Sequence, residues 1–265
     1  MAVFMRASTS APPAPKSQLR LLTLNTCLLP SFLFQSSGDD NREQRAELIT
    51  RLIQRYDIVL LQEVITTMWC TKWQKMFEEV PNMYVVTTKR TPEKIASSGL
   101  IILSRYPITK SSFHRFRSKS LTNSVVDRGF LYAAIQVGQE VLHVVNSHYA
   151  PNECHYGIHS AAEYRRRQLK EVQDFRNGSG YKDGDWVIGG DFNDEITVNS
   201  LAPMNITFAR ERLPTSHSLV PFAIADNNEH QCIDYIASTL PFIYYRRVET
   251  LISDHYGVEA VIVLK

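Results

Sequence analysis

Trp186-Val187-Ile188-Gly189-Gly190-Asp191-Phe192-Asn193 is the stretch from which the rest of this sequence is read. The apolar run Trp186-Val187-Ile188 predicts a buried strand, and the two glycines let the backbone turn without a Cβ clash. Asp191 and Asn193 follow with one residue between them, so in an extended segment both side chains face the same way. A carboxylate beside an amide can accept a proton, orient a water and help to hold a hard metal ion. The same two residue types are common at an ordinary strand-to-turn exit. The decision therefore passes to the other strand ends and whether they supply partners.

The bulk properties set loose bounds. The chain has 265 residues, 44% of them hydrophobic and 21% charged, as in an ordinary globular protein. A net charge of +2 gives no sign of a nucleic-acid partner, and no stable one is expected. Cys27, Cys70, Cys154 and Cys232 are scattered without zinc-type spacing and read as free thiols of a reducing compartment. No run is long and apolar enough to span a bilayer, and the first residues lack the apolar core of a secretory signal, so a cytoplasmic location is expected. Residues 1–17, rich in Ala, Pro and Ser, read as a disordered arm ahead of one catalytic domain at 18–265, expected to be a monomer.

Residues 19–25 predict a short strand ending in Asn25-Thr26-Cys27, followed by the apolar run Leu28-Leu29-Pro30-Ser31-Phe32-Leu33-Phe34. Ala46, Ile49, Leu52, Ile53 and Tyr56 fall near helical spacing; Trp69, Trp73, Met76, Phe77 and Val80 predict a second helix. Between them lies a compact strand at 58–61, closed by Gln62-Glu63. Runs at 84–87 and 100–103 predict strands, and 130–137 with 141–146 predict a hairpin. Ser160-Ala161-Ala162-Glu163 is a capping-box pattern opening a helix that Asn177-Gly178 ends. Strands at 233–237, 244–251 and 257–264 close the chain, while 199–231 has no readable course. Strands and helices mix without strict alternation, which favours a β-sandwich with helices outside.

Polar residues recur at the strand ends: Asn25, Glu63, Asn146 with His148, Asp191 with Asn193, and Asp254 with His255. Asp234 sits inside a further strand. Singly each reads as a solvated exit or a satisfied histidine; together they suit metal-assisted hydrolysis of a phosphate ester. Oxygen ligands such as Glu63 and Asn25 suit Mg²⁺, which keeps several waters. A histidine paired with a carboxylate takes a proton from water near neutral pH, and a second histidine donates to phosphoryl oxygens as charge grows.

Leu24-Asn25-Thr26, Leu61-Gln62-Glu63-Val64, Ser98-Gly99 through Ser104-Arg105, Asn146-Ser147-His148, Gly190-Asp191-Phe192-Asn193, Ile233-Asp234-Tyr235 and Ser253-Asp254-His255 occur in that order. This series resembles the endonuclease/exonuclease/phosphatase superfamily. The resemblance implies an α/β fold of the DNase I-like kind: a four-layered sandwich of two mostly antiparallel sheets, face to face, with helices outside and the site at one edge. It implies metal binding by Asn25 and Glu63 with support from Asp254, and Mg²⁺ as the ion with Mn²⁺ as a substitute. His255 would be the general base, oriented by Asp234; Asp191 and Asn193 would orient water and phosphate, and His148 would steady the phosphoryl group. Asp127-Arg128-Gly129 and Asn25-Thr26-Cys27-Leu28-Leu29-Pro30 are similar to the neutral sphingomyelinase branch, which places Asp127 and Arg128 on the substrate side.

That branch implies a phosphodiesterase that cuts sphingomyelin, or a related phosphocholine lipid, into ceramide and phosphocholine. A nuclease or other phosphoesterase on the same scaffold is the alternative, with Arg115-Phe116-Arg117 and Arg165-Arg166-Arg167 as either phosphate contacts or local ion-pair partners. Asn146, Arg128 and Tyr149 are the substrate-binding candidates, with Tyr149 or Tyr156 offering a ring to a choline cation. Peripheral membrane contact is expected through residues 28–34, either as an apolar rim or, on the other reading, as packed core.

Overall fold

The structure, a computed structural model, describes residues 3–30, 41–117, 126–152, 160–194, 206–208, 214–216, 231–249 and 251–265. In chain order the elements are β1 (Val3–Arg6), β2 (Gln18–Leu28), α1 (Arg42–Ile53), β3 (Ile58–Val64), α2 (Lys72–Glu78), β4 (Tyr84–Thr88), β5 (Ile101–Ser104) and β6 (Ile108–Arg115). They continue with β7 (Gly129–Val137), β8 (Glu140–His148), α3 (Ala161–Gly178), β9 (Asp185–Asp191), β10 (Thr207–Phe208), β11 (Asp234–Ser238), β12 (Phe242–Val248) and β13 (Gly257–Val263). One sheet runs β1-β4-β5-β3-β2-β13-β12 and the other β10-β11-β9-β8-β7-β6. The pairs β2–β3 and β8–β9 are parallel, and the other pairs are antiparallel.

Side-chain alternation explains why these sheets stack. On β3, Ile58 and Leu60 join the core between the sheets, while Val59 and Leu61 join a second core under α1 and α2. On β7, Leu131, Ala133 and Ile135 face inward, while Phe130, Tyr132 and Ala134 pack under α3 with Leu169 and Val172. Both faces of each sheet are thus apolar, and each needs a cover: the other sheet inside and helices outside. A fully buried Leu, Ile or Val contributes about 1.5–3 kcal/mol as an upper bound, so a one-residue slip in register would be costly for every strand. The expected four-layered sandwich is what this patterning builds. The Ser160 cap also forms, with its Oγ accepting from the Glu163 N–H at 3.2 Å.

Several expectations change. The arm is not wholly disordered: Val3–Arg6 pairs antiparallel with β4, from Val3 against Thr88 to Arg6 against Val85. Lys16 adds a 2.7 Å ion pair to the buried Asp57. The second helix begins only at Lys72 and leaves Trp69 in the preceding loop, 71% exposed. β6, whose Lys, Ser, His and Arg side chains mask its strand character, pairs with β7 at the edge of its sheet. Leu28, Leu29 and Pro30 are buried, with Leu28 in the core beneath α1, so this part of the apolar run is no lipid-facing rim. Phe32 and Phe34 lie outside the described residues, as do Cys154 and nearly all of 199–230. Cys27, Cys70 and Cys232 are free thiols. Among the described residues no helix is long and apolar enough to cross a membrane.

The glycines of the opening stretch do not turn the chain. β9 runs straight through them to Asp191. A Cβ on Gly189 would lie 2.6 Å from Leu60 Cδ1 of the facing sheet, and one on Gly190 would lie 1.9 Å from the Ser147 carbonyl oxygen of β8. Gly190 also has φ of 139°, closed to other residues at low cost. They are small so that the two sheets and the two parallel strands can close up beside the site. Gly190→Ala is therefore expected to destabilise the fold by about 3 kcal/mol or more, read as a lower urea midpoint with an unchanged slope.

Candidate active site

The face that holds the inter-sheet core turns polar at one rim. The inward parity of β2 runs Leu19, Leu21, Thr23, Asn25, and that of β3 runs Ile58, Leu60, Gln62. On the other sheet it runs Leu142, Val144, Asn146, His148 on β8, Val187, Gly189, Asp191 on β9, and Ile236 back to Asp234 on β11. Register does the rest: His148 lies opposite Asp191, and Asp191 opposite Asp234, in one row across three strands. Asn25 is level with Gln62 in the facing sheet.

Asp191 is the hub of the rim. Its Oδ2 accepts from Asn25 Nδ2 at 3.0 Å across the sandwich, and its Oδ1 accepts from the Asn193 backbone N–H at 2.8 Å. His148 Nε2 stands 3.5 Å from Asp191 Oδ2 and 3.9 Å from Glu63 Oε1. His255 Nδ1 is hydrogen-bonded to Asp234 Oδ2 at 2.8 Å, which turns its Nε2 toward Asp191 Oδ2, 4.0 Å away. Asp234 itself is fully buried, so the imidazole is held by a carboxylate that water does not reach. Ligand atoms of Asp191, Asp234 and His255 all lie within 4.8 Å of one another.

Local backbone bends aim the remaining groups. By strict alternation Glu63 would point outward with Leu61; its φ of 59° breaks the pattern and brings it to the rim. Cys27 (φ 48°), just after Asn25, and Asn193 (φ 50°), just after Asp191, are bent in the same left-handed way. Such strain at three non-glycine positions beside one cluster is held by its surroundings. Arg45, a buried α1 residue, donates to the carbonyls of Thr26 (2.8 Å), Cys27 (2.9 Å) and Ile252 (3.2 Å). Ser253 Oγ donates to the Asn25 carbonyl at 2.6 Å. These bonds stitch the Asn25 strand end to the loop that carries Asp254 and His255.

The electrostatics are those of crowded acids. Burial raises the Glu63 carboxyl to about 7, and the charges of Asp254 and Asp191 add to it, against His255 and a hydrogen bond from Asn25. Burial raises Asp191 too, reinforced by Asp234. Burial lowers His148 to about 4, with Arg128 and His255 pushing the same way against Asp191, so it is a neutral imidazole. Burial also pulls His255 down, but Asp234, Asp191 and Asp254 outweigh it and lift the ring well above its ordinary value.

Most of the sequence-derived set therefore meets at one rim: Asn25, Glu63, His148, Asp191, Asn193, Asp234, Asp254, His255 and, through its charge on His148, Arg128. Three candidates do not serve as expected. Asn146 is fully buried between the sheets, where its Nδ2 donates to the Leu61 carbonyl (2.8 Å) and the Ile101 carbonyl (2.9 Å) and its Oδ1 accepts from Gln62 Nε2 (2.7 Å). It holds the sheets together and has nothing left for a substrate. The Tyr149 ring is buried on Phe192, with centroids 4.7 Å apart, so it offers no face to a choline cation. Only its carbonyl reaches the rim, accepting from Asn193 Nδ2 (3.1 Å) and Arg128 Nη1 (3.4 Å). Tyr156 lies outside the described residues. The fully buried Asp127 carboxylate is committed to Arg115 (2.6 Å) and to Thr91 Oγ1 (3.1 Å). Arg115 and Arg165, which pairs with Asp194 at 3.1 Å, are thus local ion-pair partners. Gln62 was legible from its parity with Ile58 and Leu60; Arg45 carried no signal, being one charge among several on a helix. Asn146→Ala should lower the unfolding free energy by about 2–4 kcal/mol, because it removes three buried hydrogen bonds, one from Gln62 Nε2 and two to the Leu61 and Ile101 carbonyls; a urea titration that shows no change would return Asn146 to the substrate side.

Known proteins resemble this chain in sequence and in fold. Sphingomyelinase C from Bacillus cereus is 27% identical over 194 residues, a match covering 66% of this chain and 56% of that protein, so the chain spans little more than half the length of this curated relative. The crystal structure of sphingomyelinase C from Streptomyces griseocarneus superposes with a TM-score of 0.72 at 19% identity, covering 93% of this chain and 100% of that one. A variant of beta toxin from Staphylococcus aureus, solved with bound magnesium ions, superposes with a TM-score of 0.68 at 20% identity, covering 92% and 99%. The Endonuclease/Exonuclease/phosphatase family matches residues 22–255, and it is to this family that the chain belongs.

Proposed function

We propose that this chain is a divalent-metal-dependent phosphodiesterase of the sphingomyelinase C type, releasing phosphocholine from sphingomyelin or a related phosphocholine lipid and leaving ceramide. The observation that carries the reading is the Asp234–His255 pair, 2.8 Å apart, whose free Nε2 looks into the rim where Asp191, His148 and Glu63 converge. The family and the sphingomyelinase C relatives support it.

The donor set fits a hard dication. Burial raises the Glu63 carboxyl to about 7 and the neighbouring Asp254 and Asp191 charges add to it, so a cation at this rim would relieve both effects. Glu63 and Asn25, with Asp254 beside them, offer the oxygen ligands that Mg²⁺ or Mn²⁺ prefers, and a related beta toxin carries magnesium. When bound, such an ion supplies Lewis-acid polarisation of a phosphoryl oxygen. The chain's own residues supply the rest. With the charge of the surrounding acids balanced by a dication, His255 would be neutral at Nε2 and would take the proton of the attacking water, while Asp234 holds the ring in the required tautomer and stabilises the imidazolium that forms. Asp191, fixed by Asn25 and by the Asn193 backbone, orients that water. Neutral His148 donates to the phosphoryl oxygens, and the Arg128 guanidinium beside it balances their charge.

Three outcomes are expected. His255→Ala should lower kcat about 10²–10⁴-fold with the fold intact, checked by phosphocholine release and circular dichroism. A panel of sphingomyelin, lyso-lipids, phosphoinositides and plasmid DNA, each with Mg²⁺ and with chelator, should show chelator-sensitive release from sphingomyelin. Cleavage of DNA in place of lipid would sink the lipid reading and leave a nuclease. Glu63→Gln should weaken Mg²⁺ binding in a calorimetric titration that involves no substrate at all.

A further inference from the structure

Beside the site mouth lies a surface that the chemistry above does not use. The loop after β3 leaves the rim at Glu63 and carries Met68, 65% exposed, and Trp69, 71% exposed. A β-bridge from Thr67 to Ala96 sets this loop against the segment that follows β4, so Met68 adjoins Ile95, 47% exposed. Three large apolar side chains thus stand in water on adjoining backbone. Behind them runs an open groove lined by Thr66, Thr67, Thr71, Lys89 and Arg90. Across residues 65–71 and 89–95 the charged residues are Lys89, Arg90 and Lys94 against the single acid Glu93. Arg90 Nη1 donates to the carbonyls of Thr91 (3.0 Å) and Lys94 (2.6 Å), which fixes the basic segment in a closed loop.

From this juxtaposition we infer a membrane-docking surface for anionic phospholipid: Met68, Trp69 and Ile95 enter the interface, while Lys89 and Arg90 meet the negative head groups. The chemistry selects a lipid surface over a protein. A stable protein interface buries about 800 Å² on each side around a packed centre, whereas three protruding apolar tips backed by cations are the pattern of interfacial binding. The surface adjoins the rim, so docking there presents the site to the bilayer. Its biological sense rests on the lipid-substrate reading; its test does not. It is separate from Leu28, Leu29 and Pro30, which are buried.

The three tryptophans make the test direct, because Trp73 and Trp186 are 9% and 0% exposed and only Trp69 stands in water. Vesicles of phosphatidylcholine with phosphatidylserine, containing no sphingomyelin, are added to the full chain. Trp69 emission should shift to the blue and become shielded from acrylamide, with the protein pelleting alongside the vesicles. The double variant Met68→Ser, Trp69→Ser should pellet about tenfold less, through the lost apolar insertion, and Lys89→Glu about tenfold less, through reversed charge. No shift and no pelleting would overturn the inference, as would equal binding to pure phosphatidylcholine or full retention by both variants. Protection of Trp69 by concentration-dependent dimerisation without lipid would overturn it in favour of a second copy of the chain. Hydrolysis of sphingomyelin in detergent micelles by wild type separates the two proposals: hydrolysis without vesicle binding sinks the surface alone, and binding without hydrolysis sinks the activity alone.

Discussion

The closure of two sheets across a polar seam is the constraint on which everything else depends. Near the rim, Asn146 reaches across to the Leu61 and Ile101 carbonyls and to Gln62, and Asn25 reaches across to Asp191. Inside the sandwich such groups would cost several kcal/mol if left alone, so each must find its counterpart in the facing sheet. That requirement sets the relative position of the sheets more sharply than apolar packing can, since apolar contacts tolerate small slides and paired amides do not. Gly189 and Gly190 permit the approach by presenting no Cβ.

The same seam explains how the site holds an unfavourable charge pattern. Glu63, Asp191, Asp234 and Asp254 gather around two imidazoles within a largely buried rim, and burial works against the charged forms of Glu63, Asp191 and His255. The cost is met by groups outside the cluster. Arg45 ties three loop carbonyls, Ser253 ties a fourth, and the left-handed bends at Cys27, Glu63 and Asn193 are held from behind. A stretch of chain aimed this way is ready for a cation and a phosphate before either arrives, which is how preorganised electrostatics act.

Asn146 and Tyr149 show where reading by position along a strand goes astray. Both neighbour His148 in sequence and look like site residues. His148 occupies the last inward position of β8, at the open rim, whereas Asn146 is two residues deeper and sealed between sheets. Tyr149 is one residue further and points to the opposite face, into the aromatic core under α3. Asp127 was drawn to the site by its motif, yet its carboxylate is claimed by Arg115 from the neighbouring strand. Arg45 and Trp69 were passed over for the converse reason. One is a helix charge that proves buried, and the other an apolar helix candidate that proves to lie in a loop in water.

What the sequence determined by itself was the alternation along each strand, the caps and breaks that separate elements, and the set of polar residues waiting at strand ends. These are local properties, written into the residue spacing and the two-residue period of a pleated chain. Tertiary structure alone decided depth and partnership: which inward position falls at the rim and which beneath it, which carboxylate meets a histidine and which an arginine, and that Glu63 turns against its own alternation. Those outcomes depend on distances between segments remote in sequence, such as Asn25 and Asp191, and only the stacking of the two sheets brings such segments together.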